Sequence, residues 1–160
     1  MIDTNPTTIT APPGSPFIEV WRDFDATPAQ LFRAYTRPEL IVEWLGPRDM
    51  RVELIEFDPS TGGRYRYLHH DAEGNEFGFR GVFHTVTENE LIIQTFEWEG
   101  APGEVCLESL TFEKLDNGTR VHTQSTFPSV EARDAAIANG MEHGITDSMS
   151  RLEELLAAQR

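Results

Sequence analysis

This sequence has little that would cross-link it, carry it into a membrane or attract it to a polyanion. Cys106 is the single cysteine in 160 residues, which excludes an intramolecular disulfide and a metal site built from several cysteines. No stretch approaches the roughly 18 consecutive apolar residues of a membrane-spanning helix. The 13 Lys and Arg residues are outnumbered by 27 Asp and Glu residues, and the formal net charge is -14. This shortage of cations argues against nucleic acids and anionic membrane surfaces as partners.

The start of the chain also lacks the basic and apolar segments of a secretory signal peptide, so we expect a cytoplasmic protein. Residues 1–16 are rich in Thr and Pro, and we expect them to form a disordered tail. Residues 17–160 then form a single domain. A chain of this size buries roughly 70% of its unfolded surface, enough for a core without disulfide bonds.

Strand patterns dominate the middle of the chain. The aromatic and β-branched residues of 17–24 predict a first strand, and cap and stop residues predict two short helices at 29–35 and 39–44. Alternation with a period of two, interrupted by turn sequences, predicts six further strands at 50–57, 64–70, 76–86, 91–99, 105–115 and 119–127.

After Pro128 the period becomes helical, which predicts helices at 131–138 and about 141–158. The last helix is amphipathic, and a curved antiparallel sheet has one apolar face that must also be covered. We therefore predict an α+β fold in which the sheet wraps around the C-terminal helix, with the two short helices closing one end.

Several short motifs occur in a fixed order along these elements. They are Trp44-Leu-Gly-Pro47, Gly62-Gly63-Arg64-Tyr65-Arg66-Tyr67, Phe79-Arg80-Gly81-Val82, Phe96-Glu97-Trp98, Asp116-Asn117-Gly118-Thr119-Arg120-Val121, and Gly140-Met141-Glu142-His143-Gly144 before Leu152-Glu-Glu-Leu155. Together they resemble the START-like (SRPBCC, helix-grip) superfamily. Within it, they resemble the family named for the C-terminal domain of the activator of heat-shock-protein 90 ATPase. The resemblance runs from about residue 17 to residue 156.

The resemblance implies a helix-grip fold and, for most relatives of that fold, binding of a small ligand; some relatives are cyclases, dehydratases or hydrolases. It implies no cofactor. Many members carry Trp after the glycine at position 144, whereas this chain has Ile145. The eukaryotic co-chaperone has a separate N-terminal domain, whereas this chain has a 16-residue tail there. A chaperone-activating role therefore stays a separate hypothesis.

Alternation selects the side chains that would line a cavity between sheet and helix. Clefts of this kind are apolar with a few polar groups aimed inward. The predicted ligand-binding residues are Trp44, Tyr65, Tyr67, Phe79, Phe83, Phe96, Trp98, Glu108, Leu110, Phe112, Met141, Ile145 and Met149. The alternative is that these aromatic and aliphatic side chains fill a packed core and leave no cavity.

Glu108 is the candidate for chemistry, because its position shares a strand face with Cys106 and Leu110. A buried Glu has a raised pKa and is able to act as a general acid or base. The alternative is a bulge or a reversed face that leaves Glu108 in solvent.

Other reactive side chains show weaker patterns. His69 and His70 are neighbours on a predicted strand and would point to opposite faces, and we predict no metal site. Arg64 and Arg66 share a face that is either solvated or able to hold a carboxylate ligand. Cys106 is expected to be a buried, inert thiol.

We therefore expect the protein to bind a small apolar or aromatic ligand rather than to catalyse a reaction. Two alternatives remain open: an enzyme that uses the same cavity, with Glu108 or a histidine moving a proton, and a protein-interaction or chaperone-associated stress-response module. A homodimer is compatible with a domain of this size.

Overall fold

The chain passes from two strands through two helices to six strands and two final helices. The structure is a computed structural model and describes residues 5–159. Its elements in chain order are β1 (Thr8–Thr10), β2 (Phe17–Phe24), α1 (Pro28–Thr36), α2 (Pro38–Ile41), β3 (Arg51–Phe57), β4 (Arg64–His70), β5 (Glu76–Thr87), β6 (Leu91–Trp98), β7 (Cys106–Leu115), β8 (Gly118–Thr126), α3 (Val130–Ala138) and α4 (Met141–Ala158).

All the strands belong to one antiparallel sheet in the order β1-β2-β8-β7-β6-β5-β4-β3. Strands β3 to β8 form a meander, and β2 closes the order by pairing with β8. The sheet is curved, and Met149, Leu152 and Leu156 of α4 are buried against its inner face. The predicted α+β helix-grip architecture is confirmed.

Burial follows the pleat of the strands. In β2 the buried positions are Ile18, Val20, Arg22 and Phe24, and β4 buries Tyr65, Tyr67 and His69 in the same way. Because neighbouring strands are paired in register, these alternate positions form one continuous concave face under α4. The other face of the sheet carries the remaining arginines of the strands and most of their carboxylates.

The short helices are fixed by their ends. Thr27 caps α1 through a capping box, in which its hydroxyl accepts from Gln30 N and Gln30 Oε1 accepts from Thr27 N. Pro38 begins α2, which ends at Ile41 rather than continuing to Trp44 as predicted. Turns and bends follow from Val42 onward, and the indole of Trp44 donates to Ala34 O at 3.0 Å. Trp44 therefore holds this turn against α1.

The N-terminal tail differs from the prediction. Thr8–Thr10 form the edge strand β1, which pairs with Glu19, Val20 and Trp21 of β2. Arg133 of α3 then donates to Pro12 O at 2.7 Å and to Phe17 O at 3.4 Å, and this ties the segment before β2 to the helix. Composition alone missed this, because the partners of the segment are distant in sequence. Residues 1–4 of the predicted tail lie outside the described residues.

Arg151 of α4 fastens the loop that follows α2. Its guanidinium donates to the carbonyl oxygens of Glu43 at 2.8 Å, Gly46 at 3.0 Å and Pro47 at 3.2 Å. Ser148 Oγ accepts from Gly46 N at 2.7 Å. Local sequence patterns do not predict these bonds, since they join residues about 100 positions apart. They hold the loop over one end of the concave face.

Replacing Arg151 with Ala should destabilise the fold by about 2–3 kcal/mol, because several carbonyl oxygens lose a charged donor. The matched control is Arg48→Ala, which removes an exposed pair with Glu154 and should cost no more than about 1 kcal/mol. Urea unfolding with a common m-value measures both. Equal losses for the two variants would contradict the assigned role of Arg151.

Candidate functional site

The predicted ligand-binding residues, called the wall residues below, fall into three groups according to how deeply they are buried. Trp44, Tyr65, Tyr67, Phe83, Leu110, Phe112 and Met149 are buried; Phe79, Phe96, Glu108, Met141 and Ile145 are half-buried; and Trp98, at the end of β6, is 38% exposed. The half-buried members lie on the concave face or on α4. The interior under α4 is therefore not uniformly enclosed.

The interior consists of two apolar clusters. The larger holds most of the predicted wall, from Trp44 to Met149. The smaller contains Ile18, Val20, Cys106 and Phe127, and Met141 packs against it. Ile145 and Phe96 pack against both clusters, so these two side chains lie where the clusters meet. Met141 therefore belongs to the far end of the interior rather than to the aromatic wall.

Glu108 lies on the concave face near the start of β7. Register places it between Gln94 of β6 and Ser125 of β8. Its Oε1 accepts from Gln94 Nε2 at 3.1 Å, and its Oε2 accepts from Ser125 Oγ at 2.9 Å. The alternative that placed Glu108 in solvent through a bulge or a reversed face is excluded.

The environment of Glu108 changes its acidity. Burial raises the pKa of its carboxyl, and the hydrogen bonds from Ser125 and Gln94 oppose this rise only in part. Glu108 still keeps part of its surface exposed. Glu108 is therefore desolvated without being fully enclosed.

Three buried tyrosines are within the electrostatic influence of this carboxyl. Burial raises the pKa values of Tyr35, Tyr65 and Tyr67, and the negative charge of Glu108 raises them further. Tyr65 Oη donates to Thr95 O at 2.5 Å and accepts from Gln94 Nε2 at 3.4 Å. Burial, with Glu108 next, also raises the pKa of Cys106 to about 12, which is the state expected of an inert thiol. The site is thus one carboxyl among phenols, an amide and hydroxyls.

Tyr35, Gln94 and Ser125 belong to the polar cluster around Glu108 but were not among the residues predicted from the sequence. Gln94 lies on the period-two face that Ile92 and Phe96 define, and this alternation was the signal available for it. Ser125 follows the same rule in β8, where Thr119, Val121 and Ser125 are buried. Tyr35 lies on α1, so its approach to β7 depends on tertiary packing that no local pattern reveals.

Gly81 makes room for Tyr65. The two residues are register partners on β5 and β4, and the Tyr65 ring lies over the glycine. A methyl group on Gly81 would overlap Thr95 O and would lie 2.5 Å from Tyr65 Oη. A glycine at this position therefore allows the phenol to reach the Thr95 carbonyl.

The arginines and histidines considered as candidate site residues do not contact Glu108. Arg64 and Arg66 are on the outer face, where Arg66 pairs with Glu99 at 2.7 Å and Arg64 with Glu56 at 3.2 Å. His69 is 7% exposed on the concave face, and burial lowers its pKa to about 4, with Arg151 and His70 contributing. His70 faces the opposite side and contacts Glu53 at 2.8 Å.

Across residues 5–159, no three His, Cys, Asp or Glu side chains are grouped so that they could hold a metal ion. Two surface clefts of about 310 and 460 Å3 include none of the predicted wall residues. No helix in the described part of the chain combines the length and apolarity needed to span a membrane.

The fold and the interior site define a helix-grip α+β protein. Residues 25–157 match the family described as Activator of Hsp90 ATPase homolog 1-like protein, and the chain belongs to this family. The family predicted from the sequence motifs is therefore confirmed. A comparison with curated proteins gives no significant match.

Solved structures agree with this assignment. A protein from Rhodobacter sphaeroides is 29% identical, with a TM-score of 0.87 over 95% of this chain and 98% of that one. A protein from Staphylococcus epidermidis is 27% identical, with a TM-score of 0.81 over 96% and 95%. The AHSA1 protein of Silicibacter pomeroyi shares the fold at 19% identity, with a TM-score of 0.76 over 90% and 99%. Family and fold together support a ligand-binding helix-grip module.

The raised pKa of Glu108 predicts that this residue lowers the free energy of unfolding by an amount that depends on pH. Between the ordinary Glu pKa and the raised folded value, the folded state binds more protons than the unfolded state, so stability falls as pH rises. Glu108→Gln removes this cost, and it should stabilise the protein more at about pH 8 than at about pH 5.5. Urea unfolding at both pH values measures the difference. Glu113→Gln, exposed on the other face of β7, controls for the loss of a negative charge. A larger gain from Glu108→Gln at the lower pH would contradict the assignment.

Gly81→Ala should destabilise the protein by about 1–3 kcal/mol, because the added methyl group displaces Tyr65 or the β6 backbone. Gly144→Ala is the control. Its added methyl group would meet Pro47 at 4.0 Å, and a helical Ala is favoured over Gly by about 0.5–1 kcal/mol. Denaturant unfolding should therefore give shifts of opposite sign, and a neutral Gly81→Ala would remove the proposed steric role.

Proposed function

We propose that the protein binds a small, largely apolar molecule between α4 and the concave face of the sheet. The observation that carries this proposal is Glu108, a carboxyl that lies in an apolar interior and keeps part of its surface exposed. Burying an acidic group costs several kcal/mol unless it is paired. A group kept there despite that cost is a candidate for contact with a ligand.

The rest of this proposed recess between α4 and the sheet would supply apolar contacts to the ligand. Tyr67 stacks near Phe79 with ring centroids 5.3 Å apart, and Phe79 stacks near Phe96 at 5.5 Å. These rings form a row across β4, β5 and β6, and α4 covers them with Met149 and Ile145. Apolar area buried against such a surface contributes roughly 25 cal/mol per Å2 before the costs of ordering the ligand. Glu108 and the phenols would then orient the polar end of the ligand.

The same carboxyl favours one alternative function. A carboxyl with a raised pKa, held by Gln94 and Ser125, is suited to proton transfer to or from a bound molecule. An enzyme of this kind would lose turnover of its substrate in Glu108→Gln and keep binding it. Unchanged turnover in that variant would remove Glu108 from the chemistry.

Binding of a neutral apolar fluorophore, Prodan, tests the proposed recess. We expect saturable binding with a blue-shifted emission and a stoichiometry near one. Ile145→Trp should weaken it about tenfold, because the larger ring occupies space where the two apolar clusters meet. Thr146→Trp is the control, since its side chain is exposed on the same turn of α4. Absence of saturable binding, or equal affinity in the two variants, would argue against a recess at this place.

A further inference from the structure

Arginines on the outer face of the sheet form ion pairs, whereas Glu108 in the interior forms none with the described residues. On the outer face, Arg66 pairs with Glu99, Arg80 with Glu97 at 3.0 Å, and Arg120 with Asp23 at 2.8 Å. Glu108 has no ion-pair partner among the described residues. Its two polar contacts are the neutral donors Gln94 and Ser125.

The cations of the concave face are far from Glu108. Arg22 pairs in register with Val121, and Val121 pairs in register with Phe112. Phe112 is four residues from Glu108 along β7. This separation is about 13 Å along the strand. Arg151 of α4 is engaged with the carbonyl oxygens of the loop after α2. Burial keeps His69 neutral near pH 7. Within residues 5–159, the chain therefore supplies no positive charge at this carboxyl.

The carboxyl also retains hydrogen-bonding capacity. Two carboxylate oxygens offer about four acceptor positions, and Gln94 and Ser125 occupy two of them. A ligand with N–H donors would occupy the others. An anionic ligand would instead meet a like charge in a poorly solvated place, which is costly.

Aromatic rings complete the surroundings. Tyr35 lies 4.6 Å from Trp44 and 5.5 Å from Phe112 between ring centroids, and Tyr65 lies 6.0 Å from Tyr67. These groups come from α1, the turn after α2, β4 and β7, and the three tyrosines are within the electrostatic influence of Glu108. Rings attract a cation through their π-electrons, and the attraction grows when water is excluded. A carboxylate among aromatic rings is the chemistry that recognises an ammonium group.

We propose that the polar end of the ligand is an amine on an apolar body, held by Glu108 and surrounded by the rings of Tyr35, Tyr65 and Tyr67. This inference rests on the proposed function, because it names the chemical class of the ligand for the same recess. The ammonium group supplies the positive charge that the described residues do not place there, and the apolar body lies against the ring row.

Three probes with one carbon skeleton test the charge: octylamine, 1-octanol and octanoate. Isothermal titration calorimetry and displacement of Prodan give their affinities for the whole chain at neutral pH and moderate salt. We expect octylamine to bind about tenfold or more tightly than 1-octanol, and octanoate to bind most weakly. In Glu108→Gln the preference for the amine should fall to within about twofold. In Glu113→Gln it should persist, which separates the site from general attraction to an acidic protein.

The outcomes separate the two proposals. If 1-octanol binds as tightly as octylamine, or if Glu108→Gln keeps the amine preference, the recess stands and the amine assignment is overturned. If none of the three probes binds and Prodan does not bind, the proposed function fails and the amine assignment fails with it. Unfolding curves for each variant show whether it is folded, and Glu108→Asp gives a second variant that keeps the charge and should keep the preference.

Discussion

The burial of one face of α4 in the concave face of the sheet is the contact on which the rest of this structure depends. Leu152 and Leu156 are almost completely buried there, and neither surface would be stable in water alone. Because the sheet curves around the helix, side chains distant in sequence converge on the same interior. The same contact places Ser148 and Arg151 on the flank of α4 next to the loop after α2.

The fold was predictable because its information is local. The alternation around Tyr65 and Tyr67 fixes which face of β4 is buried, and the two-residue turn Asp116-Asn117 fixes the β7–β8 hairpin. The glycine pair at 62–63 lies just before β4, and Gly62 has a φ of 88°, a backbone conformation that glycine adopts without strain. The strand β1 was missed because three residues between prolines carry no periodicity, and its stability depends on pairing with β2.

The site was less predictable, since it depends on which strands and helices become neighbours. Alternation alone placed Glu108 inward but left a solvent position open, and the register with Gln94 and Ser125 removes that alternative. Tyr35 belongs to a helix, so its approach to β7 follows from the packing of α1 on the sheet. The ion pairs of Arg64 and Arg66 likewise needed the strand neighbours before either face could be assigned to solvent.

The two edges of the sheet govern how copies of this chain are able to meet. The strand β1 is three residues long and lies between Pro6 and Pro12, and proline offers no backbone N–H to a further strand. At the other edge, β3 exposes Arg51, Glu53 and Glu56 and has a bulge after Leu54. Both features oppose the addition of a strand from another molecule. Extension of the sheet from one copy to the next is thus disfavoured at either end, which keeps the backbone of one molecule from templating strands of another.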